Sequence, residues 1–261
     1  MNKILSTILS LSLIVMFSCK NQEKEEKVTK AEEHKHWSYQ GETSPEHWIE
    51  IEKNSDCDGK RQSPINIIDI NTISVDSAKG LNILYSPETI LNKVVNNGHS
   101  IQFDFNSGDS IVYKNEVFHL KQIHFHESSE HIINGVKYPT EIHLVHQSDS
   151  KKLTVLSILC MEGQESQLFE FFESFLPIES GQFKNIDKTI DLMNLLPEDK
   201  SFYSYSGSLT TPPCTENVNW VVFKQPIIIS LEEVLKLKDN MPINNYRNEQ
   251  PLNDRKVYYN Y

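Results

Sequence analysis

Val117-Phe-His-Leu-Lys-Gln-Ile-His-Phe-His126 reads as a β-strand, and so does Glu141-Ile-His-Leu-Val-His146 beyond the turn residues Asn134-Gly135. Side chains alternate across a strand, so His124 and His126 share one face while Phe125 packs on the other. On a neighbouring strand, His143 joins them. Three imidazoles on one sheet face, with a fourth position open, form the ligand set of a catalytic zinc. Gln122 and Glu141 each precede a histidine by two residues. Each therefore lies on its ligand's face and can accept the other ring N–H. A lone His-x-His pair is more often a chance pattern than a site, and these paired acceptors argue against chance.

The same residues admit a rival. His124-x-His126-x3-Glu130 matches the first half of a cupin-like metal motif. That reading makes Glu130 a ligand, places the site in a double-sheet barrel and suggests an iron oxygenase. The glycines it expects at fixed offsets are missing and no second half-motif follows, so it ranks second.

Outward from the histidines, period-2 or short apolar stretches recur at 101–105, 110–113, 153–159 and 220–223, with Asn97-Gly98 and Ser107-Gly108 between some of them. Helical candidates are few. Residues 165–175 and 231–237 are the best two, the second opened by Ser230 as an N-cap. No repeat or second linker interrupts the run from His36-Trp37-Ser-Tyr39 to Tyr261. The expected fold is one mainly β domain over residues 34–261, with short peripheral helices.

Composition narrows the function. The chain has 261 residues, 38% hydrophobic and 10% aromatic, enough for a core that excludes disorder as the main state. It carries 36 Asp+Glu against 25 Lys+Arg, a net charge of -11, and no Lys/Arg cluster. Nucleic acid is excluded as a partner on that ground, because phosphates need a basic surface.

The N-terminus reads as a targeting segment. Lys3 precedes an apolar run from Ile4 to Phe17, then Ser18-Cys19 and a Lys/Glu-rich stretch. As helix the run spans about 21 Å, short of a roughly 30 Å hydrocarbon core. Residues 1–19 are therefore expected to be a signal peptide. The small residue before Cys19 and the charges after it favour a lipoprotein site, with lipid on Cys19 as a membrane anchor and residues 20–33 as a solvated tether. The alternative is an ordinary signal peptide with Cys19 removed. Both imply export, to the periplasm or an outer-membrane attachment, where disulfides persist. Of the 4 cysteines, Cys160 ends an apolar run and suits a buried, free thiol. If Cys19 is lipidated, Cys57 and Cys214 remain, both in loop-like surroundings, and are expected to pair.

His36-Trp-Ser-Tyr39, Pro45-Glu-His-Trp48, Gln62-Ser-Pro-Ile-Asn66, Asn96-Asn-Gly-His-Ser100, Gln122-Ile-His-Phe-His126, Ser129-Glu-His131, Glu141-Ile-His-Leu-Val-His146, Ser208-Leu-Thr-Thr-Pro-Pro213 and Asn245-Tyr-Arg247 follow one another in order. In these motifs the chain resembles the α-class carbonic anhydrases, from His36 to its C-terminus. The resemblance implies a large, mostly antiparallel, twisted central sheet. It implies zinc-dependent, reversible hydration of carbon dioxide to bicarbonate and a proton, by attack of a zinc-bound hydroxide, with weak esterase activity as a side reaction.

Residue by residue, the resemblance implies zinc on His124, His126 and His143, held by Gln122, Glu141 and the carbonyl of Asn245. Thr210 accepts the hydroxide's hydrogen and passes its own to Glu130. His99 is the proton shuttle, and Tyr39, Asn97 and Gln102 order the water path, with Gln102 standing where many relatives carry Asn. Thr211 touches bicarbonate. Val145, Val155, Leu209, Val218 and Trp220 form the apolar wall that receives carbon dioxide. Cys57 and Cys214 match disulfide positions of secreted members. Homodimer formation is left open. A metal-free binding module on the same scaffold is the third reading, and the presence of every ligand together with Thr210 and Glu130 argues against it.

Overall fold

The strand Glu116–His126 runs through the middle of the molecule. Its Ile123 and Phe125 are fully buried in an apolar cluster with Ile142, Leu144, Leu156 and Ile158. His124 and His126, one residue out of phase, face the other side. The computed structural model describes residues 36–76 and 80–261. The expected signal segment, the lipid site at Cys19 and the tether at 20–33 lie outside the described residues.

Among the described residues, thirteen strands form one twisted sheet. Ten of them run in the spatial order Phe183–Ile190, Thr89–Asn96, Ile101–Phe105, Glu116–His126, Thr140–Gln147, Leu153–Glu162, Glu216–Phe223, Phe202–Ser208, Tyr258–Asn260 and Ile73–Val75. Ile227–Ile229 pairs with Leu153–Glu162, and Leu81–Leu84 reaches the sheet through Ser110–Tyr113. Most neighbours are antiparallel. Leu153–Glu162 is parallel to Glu216–Phe223 and to Ile227–Ile229, and Tyr258–Asn260 is parallel to Ile73–Val75, so the sheet is mixed. One open sheet of this kind rules out the double-sheet barrel of the cupin reading.

Register decides what faces what. His119 pairs with Gln147 and Leu120 with His146, but the next partner of Val145 is Gln122. Lys121 is bulged out. The bulge shifts the pairing by one residue, so His124 stands directly opposite His143 rather than opposite Ile142.

The two faces carry two cores. Beneath the histidines' strands lies the larger cluster, closed by the helices Gln167–Glu173 and Leu231–Lys238 through Phe169, Phe172, Val234 and Leu237. The N-cap at Ser230 forms as expected: its hydroxyl accepts from Glu233 N–H, and the Glu233 carboxylate accepts from Ser230 N–H. Glu233 also accepts from Ser166 N–H at 2.9 Å, which ties the starts of both helices together. The histidine face carries Val155, Val218, Trp220, Val222, Tyr203 and Tyr205 with Ile65 and Ile67. Each such side chain contributes roughly 1.5–3 kcal/mol on full burial.

Candidate active site

His124 Nε2 lies 3.3 Å from His143 Nδ1, and the His126 ring centre is 4.6 Å from that of His143. One nitrogen from each of the three rings falls within 4.8 Å of the others. The remaining nitrogens all meet acceptors. His124 Nδ1 donates to Gln122 Oε1 at 2.9 Å, His126 Nδ1 to the Asn245 carbonyl at 2.6 Å, and His143 Nε2 to Glu141 Oε1 at 2.7 Å. Those contacts fix the hydrogen on the outer nitrogen of each ring and leave a lone pair on the converging one.

Burial holds all three imidazoles below their ordinary value, His124 furthest because His126 and His143 add to the effect. Neutral rings are what a cation requires. His126 Nε2 is buried with no hydrogen-bond partner, a costly state for a polar atom. Three converging nitrogen donors with one buried lone pair unpaired fit a borderline divalent cation that keeps a fourth position open.

Glu141 is fixed more tightly than any ligand. Its Oε1 accepts from His131 Nδ1 at 2.7 Å, His143 Nε2 at 2.7 Å and Ser157 Oγ at 2.6 Å, and its Oε2 accepts from the N–H groups of Glu130 at 2.8 Å and His131 at 2.7 Å. Burial alone would raise this carboxyl, but its electrostatic attraction to His131 and His143 and the hydrogen bonds they donate outweigh it and hold it well below the usual range. His131, Glu141 and His143 also lie within ligand distance of one another. With five donors on one carboxylate, that trio is a clamp on His143 rather than a second cation site. The clamp continues outward from His131 Nε2 to Tyr205 Oη at 2.7 Å and on to Ser63 Oγ at 2.9 Å.

Glu130 is fully buried, its Oε2 3.5 Å from His126 Nε2 and its Oε1 accepting from Arg247 N–H at 2.8 Å. Burial pushes it up to about 7, against the pull of His143, the nearby Thr210 hydroxyl and that N–H. Thr210 is itself buried.

A cavity of about 130 Å³ opens above the rings. Tyr39, Asn97, His99, Gln102 and Thr211 line it, with Gln122, His124 and His126 at its base and Trp37 at its side. Val155, Val218 and Trp220 are buried in the cluster on this face, and Val145 and Leu209 pack against it. The structure thus brings the expected residues together, with finer detail in three cases. Asn97 Oδ1 is already engaged, accepting from the N–H groups of His99 and Ser100 at 2.9 and 2.8 Å. Gln102 Nε2 donates to Asp104 at 2.6 Å. His99 is pushed down to about 4 by burial and by the neighbouring His36, where an unperturbed ring titrates near 6.5.

Cys57 and Cys214 form the expected disulfide, with Cα atoms 4.9 Å apart across 157 residues, and Cys160 is a buried free thiol. The bridge anchors the loop that holds Thr210 and Thr211. Arg247 performs a similar task, for which its place in the Asn245-Tyr-Arg247 motif gave no role. Its guanidinium donates to Gln62 Oε1 at 2.7 Å, the Ser63 carbonyl at 3.1 Å and the Cys57 carbonyl at 2.9 Å. His36 is the other residue missed, and only its place in an aromatic motif signalled it.

Comparison with known proteins agrees with this geometry. Residues 43–261 match the family model described as eukaryotic-type carbonic anhydrase. A carbonic anhydrase of Nostoc sp. is 38% identical over 226 residues, covering 85% of this chain and 84% of the relative. The solved α-carbonic anhydrase of Thermovibrio ammonificans, in complex with the inhibitor sulfanilamide, is similar at a TM-score of 0.81 and 40% identity, over 85% of this chain and 98% of that one. Dioscorin DB3L of Dioscorea polystachya is 35% identical over 224 residues, 82% of each chain. A family model spanning most of the chain, with relatives alike over more than four-fifths of it, makes this protein a member of the eukaryotic-type carbonic anhydrase family.

Proposed function

We propose that the site hydrates carbon dioxide reversibly to bicarbonate and a proton, with zinc held by His124 Nε2, His126 Nε2 and His143 Nδ1. The observation that carries this reading is the set of three converging lone pairs, each fixed by an acceptor behind its ring, beside an apolar wall. A zinc ion bound there lowers the pKa of water from about 15.7 to about 7, and its charge favours the ionised form of Glu130.

The chain's own residues do the rest. Carbon dioxide is linear and weakly electrophilic, and Val145, Val155, Leu209, Val218 and Trp220 offer it an apolar seat. Ionised Glu130 accepts a hydrogen bond from the Thr210 hydroxyl. Thr210 can then only accept, so it turns the attacking oxygen's lone pair toward carbon. Thr211, on the cavity wall, holds the bicarbonate product. The released proton leaves past Tyr39, Asn97 and Gln102 to His99. The proposal extends to place: a chain lipidated at Cys19 would do this at the bacterial envelope. Mass spectrometry of the mature N-terminus checks that extension, and an intact, lipid-free start at another residue would reject it.

The test of function is carbon dioxide hydration by the purified protein before chelation, after chelation and after zinc is restored. Activity that vanishes and returns supports the reading. A folded, zinc-loaded chain without activity would move it to a binding module and remove the roles of Thr210 and Glu130.

A further inference from the structure

We infer that His36 is the solvent-side member of a two-imidazole proton exit whose inner member is His99; the inference rests on the hydration chemistry proposed above. His99 lines the cavity that has His124 and His126 at its base. Its Nε2 lies 3.0 Å from Nε2 of the exposed His36. At that distance one ring donates and the other accepts, so the two share a hydrogen.

His99 is built to stay where it is. Its ring stacks on Trp37, centroids 3.6 Å apart and planes 12° from parallel, and meets Tyr39 near edge-on. Its N–H donates to Asn97 Oδ1 at 2.9 Å and its carbonyl accepts from Asn245 Nδ2 at 3.1 Å. A side chain held in this place passes a proton through its ring instead of carrying it across by swinging from one position to another. Burial also shortens the time an added proton stays on it, so an acceptor in contact is needed, and His36 is in contact.

In the hydration direction the step balances as follows. A proton from the cavity binds the lone pair of His99 Nδ1. The N–H bond at His99 Nε2 breaks while one forms at His36 Nε2. His36 then gives its Nδ1 hydrogen to a buffer base. One proton has crossed and both rings have exchanged tautomers; a half-turn of each imidazole in place, about its Cβ–Cγ bond, restores the pair.

The experiment compares the zinc-loaded parent with His36→Ala and His36→Gln by stopped-flow hydration in weak buffer. Gln keeps a hydrogen-bonding side chain but cannot take up and release a proton. We expect kcat to fall about threefold to tenfold in both variants, less than the 10²–10⁴ of a primary acid–base group, and to recover in concentrated imidazole buffer. A second readout does not involve turnover. In ¹⁵N NMR of the metal-free protein the two Nε2 signals should report a shared hydrogen, and His99 should titrate at higher pH once His36 is replaced. Parent-like kcat in His36→Gln would make the residue a positioning group and overturn the inference, as would two rings that titrate independently. Absence of hydration in the zinc-loaded parent would instead reject the proposed function, while the NMR result would still be read.

Discussion

Glu141 shows how much of this site is spent on holding one ring. Five donors converge on its carboxylate, three of them on a single oxygen. Glu141→Gln would present amide hydrogens to groups that already donate. Zinc affinity should fall about 10- to 100-fold, read by competition with a chromophoric chelator, and the fold should lose about 1–3 kcal/mol for the buried groups left unpaired. Gln122→Ala opens only the half-buried end of the set, so about a tenfold loss of affinity with little change in stability is expected from the same titration. Glu130→Gln is a different case. It keeps the volume, but its amide can donate to Thr210 and free the hydroxyl hydrogen to point at the attacking oxygen. Then kcat/KM should fall about 10²- to 10³-fold while zinc content stays that of the parent. At this scale the sequence was highly legible for His124, His126, His143, Gln122 and Glu141, because period-2 spacing puts ligand and acceptor on one face. Asn245 serves through its backbone carbonyl and sits 119 residues from His126. No local pattern marks such a partner, and only the family resemblance supplied it.

Between elements, the bulge at Lys121 does what the histidine spacing alone cannot. Deleting Lys121 would remove only the extra residue: Gln122 would still meet Val145 and His124 would still meet His143, so each side chain keeps its face. Isothermal titration should then show zinc binding like the parent's, as it should for Lys121→Ala. Deleting Ile123, beyond the bulge, would instead set His124 opposite Leu144 on the other face and abolish binding. Nothing in the run Leu120-Lys-Gln122 announces a bulge. The same reason hides the strand Thr89–Asn96, whose pairing slips between Leu91 and Lys93. Phe183–Ile190 is nearly all exposed at the sheet edge, and Phe202–Ser208 is rich in Ser and Tyr although buried. The first shows no apolar alternation, and in the second only Tyr203 and Tyr205 alternate with serines. By contrast Ile101–Phe105 and Ser110–Tyr113 have the bounds their patterns predict.

Across the whole molecule, two features set stability. The Cys57–Cys214 bridge closes 157 residues, and its reduction should cost about 2–5 kcal/mol, read as a lower urea midpoint under reductant. His146 lies on the core side of the sheet, its Nδ1 donating to the Leu144 carbonyl at 2.9 Å and its Nε2 accepting from Tyr85 at 2.7 Å. Burial pushes it down to about 3. The unfolded chain, with an ordinary imidazole near 6.5, therefore binds more protons than the folded one below that pH. The stability this ring contributes is complete above pH 6.5 and drains away toward pH 3, by up to about 1.4 kcal/mol per unit. Urea midpoints at pH 7, 6 and 5 should fall accordingly, and less steeply in His146→Gln. The order of assembly follows from the topology as well. Tyr258–Asn260 fills the gap between Phe202–Ser208 and Ile73–Val75, and Asn245 and Arg247 reach back to His126 and Glu130. A ribosome must therefore release residues 245–260 before the three histidines made more than a hundred residues earlier can be locked. Until that moment the nascent protein holds an unfinished sheet and loosely held imidazoles, so capture of the proposed zinc would belong to the end of biogenesis.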